Sequence, residues 1–213
     1  MKTCKYLTTL LVILNFNCSN PDFEGSDTII TVTRDLSEFT KVKAQNDLDV
    51  SITQGDEQRV DVVVNDNLQN NLRTEVSNGT LNISLADGSY DNASFTVNIQ
   101  IPNLERLQLN DNTRGVVNFV TEQIEFEIKG SSELELYGGA EILNTILRDA
   151  GKLHGFSFST HVLNTISRDA SELRITCIED LNGTIAQASK VYYQGQPVVN
   201  VQTSEAGQLI NSN

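Results

Sequence analysis

Residues 142–150 read ILNTILRDA and residues 162–170 read VLNTISRDA, identical at seven of nine positions and twenty residues apart. The repeat extends in both directions. A small polar turn follows each apolar run at Asp111-Asn112-Thr113, Gly130-Ser131-Ser132, Asp149-Ala150-Gly151, Asp169-Ala170-Ser171, Gln187-Ala188-Ser189 and Glu205-Ala206-Gly207. The successive spacings are 19, 19, 20, 18 and 18 residues. A unit this short cannot bury its own apolar face, so the units must stack as coils. Within one coil, as in IEFEI-KGS-SELEL-YGG, the pattern is strand, turn, strand, turn. Stacking puts equivalent strands side by side in parallel sheets about 4.8 Å apart, and six coils make a rod on the order of 25–30 Å long. The expectation is an all-β chain, a right-handed parallel β-helix or β-solenoid with 18–20-residue coils and a hairpin-rich N-terminal half.

Strand alternation assigns the faces. Ile124, Phe126 and Ile128 share the interior side of one coil, while Glu125, Glu127 and Lys129 face out. Carrying that register through the turns places Leu143, Thr145 and Leu147 inside, then Leu163 and Thr165, Leu181 and Ile185, and Val199 and Val201. The other strand of each coil contributes Leu134 and Leu136, then Leu173, Ile175 and Cys177, then Val191 and Tyr193. The same register turns Ile142, Ile146, Val162 and Ile166 outward, interleaved with Asn144 and Asn164. Two arrangements satisfy the pattern. A slip of one residue would send the aliphatics inward, or the six residues form a real contact surface of a kind that soluble monomers avoid.

The first half is less regular. LDVSITQGDEQRVDVVV (48–64) alternates around Gln54-Gly55-Asp56, the mark of paired strands. NDNLQNNL (65–72) is the one plausible helical turn, Asn78-Gly79 marks a hairpin, and SFTVNIQIP (94–102) is a strand stopped by Pro102. This half is expected to cap one end of the rod, and the tail after Gly207 the other.

The N-terminus carries Lys2 and Lys5 and then an apolar run from Tyr6 to Phe16, too short to span a bilayer, which reads as a secretory signal over residues 1–17. Cys18 directly after it resembles the acylated cysteine of a lipoprotein, with Asn17 where a small residue is usual, so simple signal cleavage stays open. Residues 18–32 look like an acidic tether, and 33–213 like one β-helical domain, with 33–102 as its hairpin-rich half and 103–213 as the six-coil repeat region. In the tether, Asp27-Thr28-Ile29 is similar to a short site at which Bacteroidetes O-glycosylate exported proteins, making Thr28 the candidate residue.

The chain has 15 basic and 28 acidic residues, a net charge of −13. Losing residues 1–17 removes Lys2 and Lys5 and leaves 13 against 28, or −15. Such a chain has no electrostatic reason to seek nucleic acid or an anionic bilayer. Membrane attachment would come through lipid on Cys18. Without Cys4 and Cys18, Cys177 has no partner for a disulfide.

At this point FTKVKAQNDLDVSITQGDEQRVDVVVNDNLQNNLRTEVSNGTLNISL (39–85), IQIPNLERLQLN (99–110) and the turn-centred repeats resemble the putative auto-transporter adhesin, head GIN domain family of Bacteroidetes envelope proteins. The resemblance runs over about residues 35–209 and implies a pectin-lyase-like β-helix and an adhesive role. Family members carry Gly-Ser-Gly turns. Here only KGSSEL keeps Gly-Ser, the others reading RDAG, RDAS, QASK and EAGQ.

Catalytic patterns are sparse. His154 and His161 lack metal-ligand spacing, and no HExxH, GxSxG or phosphate-binding glycine loop occurs. Asp149, Asp169 and Lys152 could imitate the acid and base set of a calcium-dependent polysaccharide lyase, or simply stack as exposed charges. Phe156 and Phe158 lie in the twenty-residue coil, either as core residues displaced by a bulge or as an exposed aromatic pair. The expected function is that of a surface lipoprotein with no enzymatic activity and no cofactor, binding a protein or glycan, with homo-oligomerisation open. A periplasm-facing structural protein and a lyase are the alternatives.

Overall fold

The computed structural model describes residues 21–213. The proposed signal and Cys18 lie outside these residues. Among the described residues the chain forms one turn of 3-10 helix at Asp66–Leu68, inside the predicted helical stretch, and seventeen strands. The first nine are β1 (Asp22–Glu24), β2 (Ile29–Arg34), β3 (Lys41–Ala44), β4 (Asp49–Gln54), β5 (Arg59–Asn65), β6 (Leu72–Ser77), β7 (Thr80–Leu85), β8 (Ser89–Asp91) and β9 (Phe95–Ile101). There follow β10 (Arg106–Leu109), β11 (Arg114–Ile128), β12 (Glu133–Leu147), β13 (Lys152–Ser167), β14 (Glu172–Ile185), β15 (Lys190–Gln194), β16 (Val198–Thr203) and β17 (Gln208–Asn211).

The repeat region is a β-solenoid. Strands β11 to β14 are long because each turns a corner and serves two sheets. β11 pairs with β4 through residues 114–118 and with β10 through 125–128. At the other end, β14 pairs with β15 through 172–176 and with β16 through 180–185. The first sheet therefore holds β4, the leading halves of β11–β14, β15 and β17. The second holds β3, β10, the trailing halves and β16. All these pairings are parallel, as stacked coils demand.

Between the sheets, equivalent residues stack into columns. Leu134, Leu153, Leu173 and Val191 form one; Leu143, Leu163 and Leu181 form another; all are fully buried. Burying such a side chain contributes roughly 1.5–3 kcal/mol, and with no intrachain disulfide among the described residues these columns carry the stability. Thr145 and Thr165, interior as predicted, satisfy each other through a buried 2.8 Å hydroxyl bond. Cys177 is a buried free thiol whose pKa burial raises. The last coil is looser: Val199 and Val201, read as interior, are 42% exposed and half-buried, because β16 and β17 each pair on one side only.

The recurring turn has a backbone reason. Asp111, Gly130, Asp149, Asp169, Gln187 and Glu205 all adopt positive φ, between 49° and 67°. In the last three turns the following alanine does too. The third turn residue points inward and is small. There Thr113 Oγ1 and Ser189 Oγ donate to the turn carbonyls of Asn110 (2.8 Å) and Ala186 (2.7 Å). At the opposite corner Gly138 has φ 107°, and a Cβ there would lie 2.1 Å from the Phe119 carbonyl oxygen.

That opposite corner absorbs the variation in coil length. Between Gly155–Ile175 and Ser159–Thr176, β13 inserts Phe156, Ser157 and Phe158 against no residue of β14. Phe158 is driven into the core and fully buried while Phe156 is half-buried, so the displaced-core arrangement holds.

Three expectations for the rest are corrected. The segment expected as a tether over 18–32 does not hang free where it is described: β1 pairs parallel with β8 and β2 antiparallel with β5, and Ser26 Oγ donates to Asp66 Oδ1 at 2.6 Å. Their alternation was short and acidic enough to read as linker. Second, β4 and β5 do not pair across Gln54-Gly55-Asp56. Strand β9 sits between them, parallel to β4 and antiparallel to β5, while the other edge of β4 pairs with β11. Third, the tail after Gly207 is no cap but one more strand, β17 on β15. The Asn78-Gly79 hairpin forms as predicted, joining β6 and β7 with φ 51° and 69°. Together β6–β7 and β2–β5–β9 close the N-terminal end with antiparallel strands.

Candidate contact surface

The outer face of the second sheet follows directly from the coil register. Ile142 stacks on Val162, Asn144 on Asn164 and Ile146 on Ile166. Their inward neighbours Leu143, Thr145, Leu147 and Leu163 are buried. No slip occurs, and the six residues share one outward face, with Ile166 at 45% exposure. Four aliphatic side chains thus point outward in two adjacent rows, Ile142, Ile146 and Val162 half-buried and Ile166 exposed.

The asparagines continue beyond the two repeats. Asn164 Nδ2 donates to Asn144 Oδ1 (3.0 Å), Asn182 Nδ2 to Asn164 Oδ1 (3.3 Å) and Asn200 Nδ2 to Asn182 Oδ1 (3.2 Å). This amide ladder runs along the rod with each residue bonded to the next. Asn182 and Asn200 were not among the predicted surface residues. Their signal was present, since Leu-Asn, Leu-Asn, Leu-Asn and Val-Asn recur at 143, 163, 181 and 199, with the first residue read as interior from the sequence.

Charge borders the face on both sides. On one, Lys129, Arg148 and Arg168 occupy successive coils, fixed by amide bonds from Arg148 to Ile128 O (3.0 Å) and from Arg168 to Leu147 O (3.1 Å). Lys129 is paired with Glu127, and Arg168 Nε lies 3.7 Å from Asp169. Arg148 has no carboxylate within 4.0 Å among the described residues, and its Nε and that of Arg168 are buried without acceptors. Glu127 itself is pushed up by burial, but hydrogen bonds from Lys129 and Gln108 outweigh this and leave its pKa lowered. On the other border, Glu141, His161 and Glu179 stack at the corner. His161 Nδ1 is 3.0 Å from Glu179 and 4.0 Å from Glu141. The hydrogen bond to Glu179, with the charge of Glu141, raises the imidazole pKa above 6.5.

The first sheet handles charge differently. Asp49, Arg114, Glu133, Lys152, Glu172 and Lys190 form one column of strictly alternating sign. Within it Lys152 Nζ donates to Glu133 at 2.7 Å, lowering the glutamate pKa and raising that of the lysine. Lys152 is thereby committed to the other sheet, while Asp149 Oδ2 accepts from the Gly130 amide at 3.2 Å. The lyase-like trio has its polar atoms directed to separate partners. Among the described residues no three His, Cys, Asp or Glu side chains are placed to hold a metal ion, and no helix is long and apolar enough to cross a membrane. Thr28, the candidate glycosylation residue, is exposed.

Comparison with known proteins matches the geometry. The profile of the family described as "Putative auto-transporter adhesin, head GIN domain" fits residues 38–197. No curated protein matches the chain. Among solved structures, a "putative adhesin" of Bacteroides fragilis is similar with a TM-score of 0.72 at 15% identity, covering 89% of this chain and 99% of that one. A "putative adhesin" of Parabacteroides merdae gives 0.57 at 14% identity, covering 91% and 100%. A "putative lipid binding protein" of Parabacteroides distasonis gives 0.58 at 15% identity, covering 90% and 100%. At these identities the likeness is one of fold.

Proposed function

Because the chain belongs to the putative auto-transporter adhesin, head GIN domain family, we propose that it is a non-enzymatic binding module of the cell envelope that works through the outer face of its second sheet. The observation that carries this is the outward-facing set of half-buried Ile142, Ile146 and Val162 and exposed Ile166 around Asn144 and Asn164. Stacked β-branched side chains help a sheet form, but contiguous apolar patches on the outside of a monomer are uncommon and often mark contact sites. Rows of amides between these side chains supply directional hydrogen bonds, and charged borders supply a rim, the usual anatomy of a protein contact.

In this reading the chain is exported, cleaved before Cys18 and held by lipid on that residue at the outer membrane, facing outward. Thr28, exposed near the start of the folded part, carries the O-linked glycan. Protease treatment of intact cells, with lysed cells as control, tests the placement. Digestion on intact cells is the expected outcome. Protection until lysis would overturn the surface role and favour a periplasm-facing structural protein.

A further inference from the structure

Across one coil the outer face of the second sheet reads, in order, Glu141, Ile142, Asn144, Ile146, Arg148. Apart from the sign of its ends this row is a palindrome in order about the asparagine, with Glu141 three residues before it and Arg148 four after. The coil above it repeats the middle as Val162, Asn164, Ile166 and ends on Arg168. Reversal of such a row puts acid opposite base, aliphatic opposite aliphatic and amide opposite amide. That operation is a two-fold rotation about the line of the asparagines.

From this self-complementarity we infer that the partner of the contact face is a second copy of this chain. The two rods lie face to face and parallel, with the dyad running along the amide ladder. The inference rests on the reading that this face is a contact surface, and it names what covers it. Each Ile142 and Val162 then meets Ile146 and Ile166 of the partner subunit, closing both aliphatic pairs from water. Each asparagine spends one N–H and one lone pair within its own ladder and keeps others free for the opposing ladder. At the rim, Arg148 receives the carboxylate it lacks, from Glu141 of the partner subunit, and the same pair recurs on the far side. An isologous interface requires this reciprocity, residue i on j and j on i.

The remaining rows add little or set the limit of the contact. Glu122 stands in the corner column beside Glu141 and would meet Lys129 of the partner subunit. His161 would face Arg168, which already shares its charge with Asp169, so that row adds little. Towards the N-terminal end the dyad column becomes Glu125 in β11 and then Arg106 and Lys41, each of which would meet its own copy, so the contact ends at β12. The rows of β12, β13, β14 and β16 cover roughly 23 Å by 19 Å, on the order of 440 Å² per copy. That is below a standard specific interface and in the range of weak, transient contacts. A reversible, concentration-dependent dimer is expected rather than an obligate one. Screening over about 8 Å at physiological salt keeps the −13 charge of each copy from overriding the local match. Parallel rods also leave both N-termini at one end, where two chains could be held at the same surface.

Sedimentation of the purified chain over a concentration series tests this. The wild type should pass from monomer to dimer. Glu141→Arg alone and Arg148→Glu alone should each weaken the dimer roughly tenfold or more, since like charges then oppose at both rims. An equimolar mixture of the two variants should recover it, because every rim pair is again unlike. Both positions lie on the surface, and unchanged circular dichroism confirms that the variants fold. A wild type monomeric throughout, or a mixture no more associated than the single variants, overturns the proposal. The two claims fail separately: Ile146→Asp with Ile166→Asp should abolish dimerisation here. If it leaves a monomeric wild type unchanged but removes binding of cells to a glycan- or protein-coated surface, the contact face stands and the second copy falls.

Discussion

Alanine rarely occupies positive φ, yet Ala170, Ala188 and Ala206 do so at 63°, 60° and 64°. Each is exposed and follows a turn residue that is also left-handed. The left-handed region disfavours an L-residue by about 1–2 kcal/mol, offset in part by the greater freedom glycine loses on folding. Ala188→Gly is therefore expected to stabilise by about 1 kcal/mol, raising Tm by about 2–4 °C in a domain of this size. Thermal denaturation of the purified chain checks it, and no gain would mean that the turn is not strained. The turn spacing was legible in the sequence, because Gly130-Ser131-Ser132 advertises a turn and the others align with it. Their backbone hand was legible only at Gly130. Asp adopts that hand somewhat more readily than most residues, Gln, Glu and Ala carry no mark of it, and here the neighbouring coils impose the conformation.

Among elements, columns are what periodicity predicts well. The interior leucines and outward asparagines follow from counting by two within a strand and by 18 to 20 between coils. Which strand lies beside which, where the chain does not repeat, is decided by long-range pairing that local pattern does not encode, and so β9 between β4 and β5 was missed. The corner column Glu141–His161–Glu179 was missed for a related reason. Two consecutive residues point outward there, which breaks the alternation. Its energetics are testable by pH. The raised pKa of His161 means the charged imidazole is stabilised in the folded chain, fully so below 6.5 and progressively less as pH rises through the folded-state value. Wild type should therefore melt above His161→Gln at about pH 5.5, with the gap closing by about pH 8.5. A gap independent of pH would show that the ring acts by packing and not by charge.

For the whole molecule, each coil touches only its neighbours, so protection is graded along the rod. Strands β12 and β13 are paired on both sides over their length, whereas β16 and β17 offer one free edge each. Hydrogen exchange should be slowest in β12–β13 and fastest in β16–β17, with the antiparallel N-terminal closure intermediate. Equal protection throughout would mean that the rod opens as one cooperative unit. The solenoid itself was legible because its repeat is. The docked segment 22–34 was not, because its strands take partners from β5 and β8, 26 to 67 residues away.

One corner of every coil keeps its turn, while the opposite corner already holds Phe156, Ser157 and Phe158 as residues with no counterpart in the next coil. The two corners thus divide inheritance from invention. Codons added at the turn corner would throw every later column out of count. Codons added beside Ser157 would be displayed on the outside while the leucines behind them continue their stacking. A lineage built on this rod can acquire new loops there, and with them new specificities, without redesigning the part that folds.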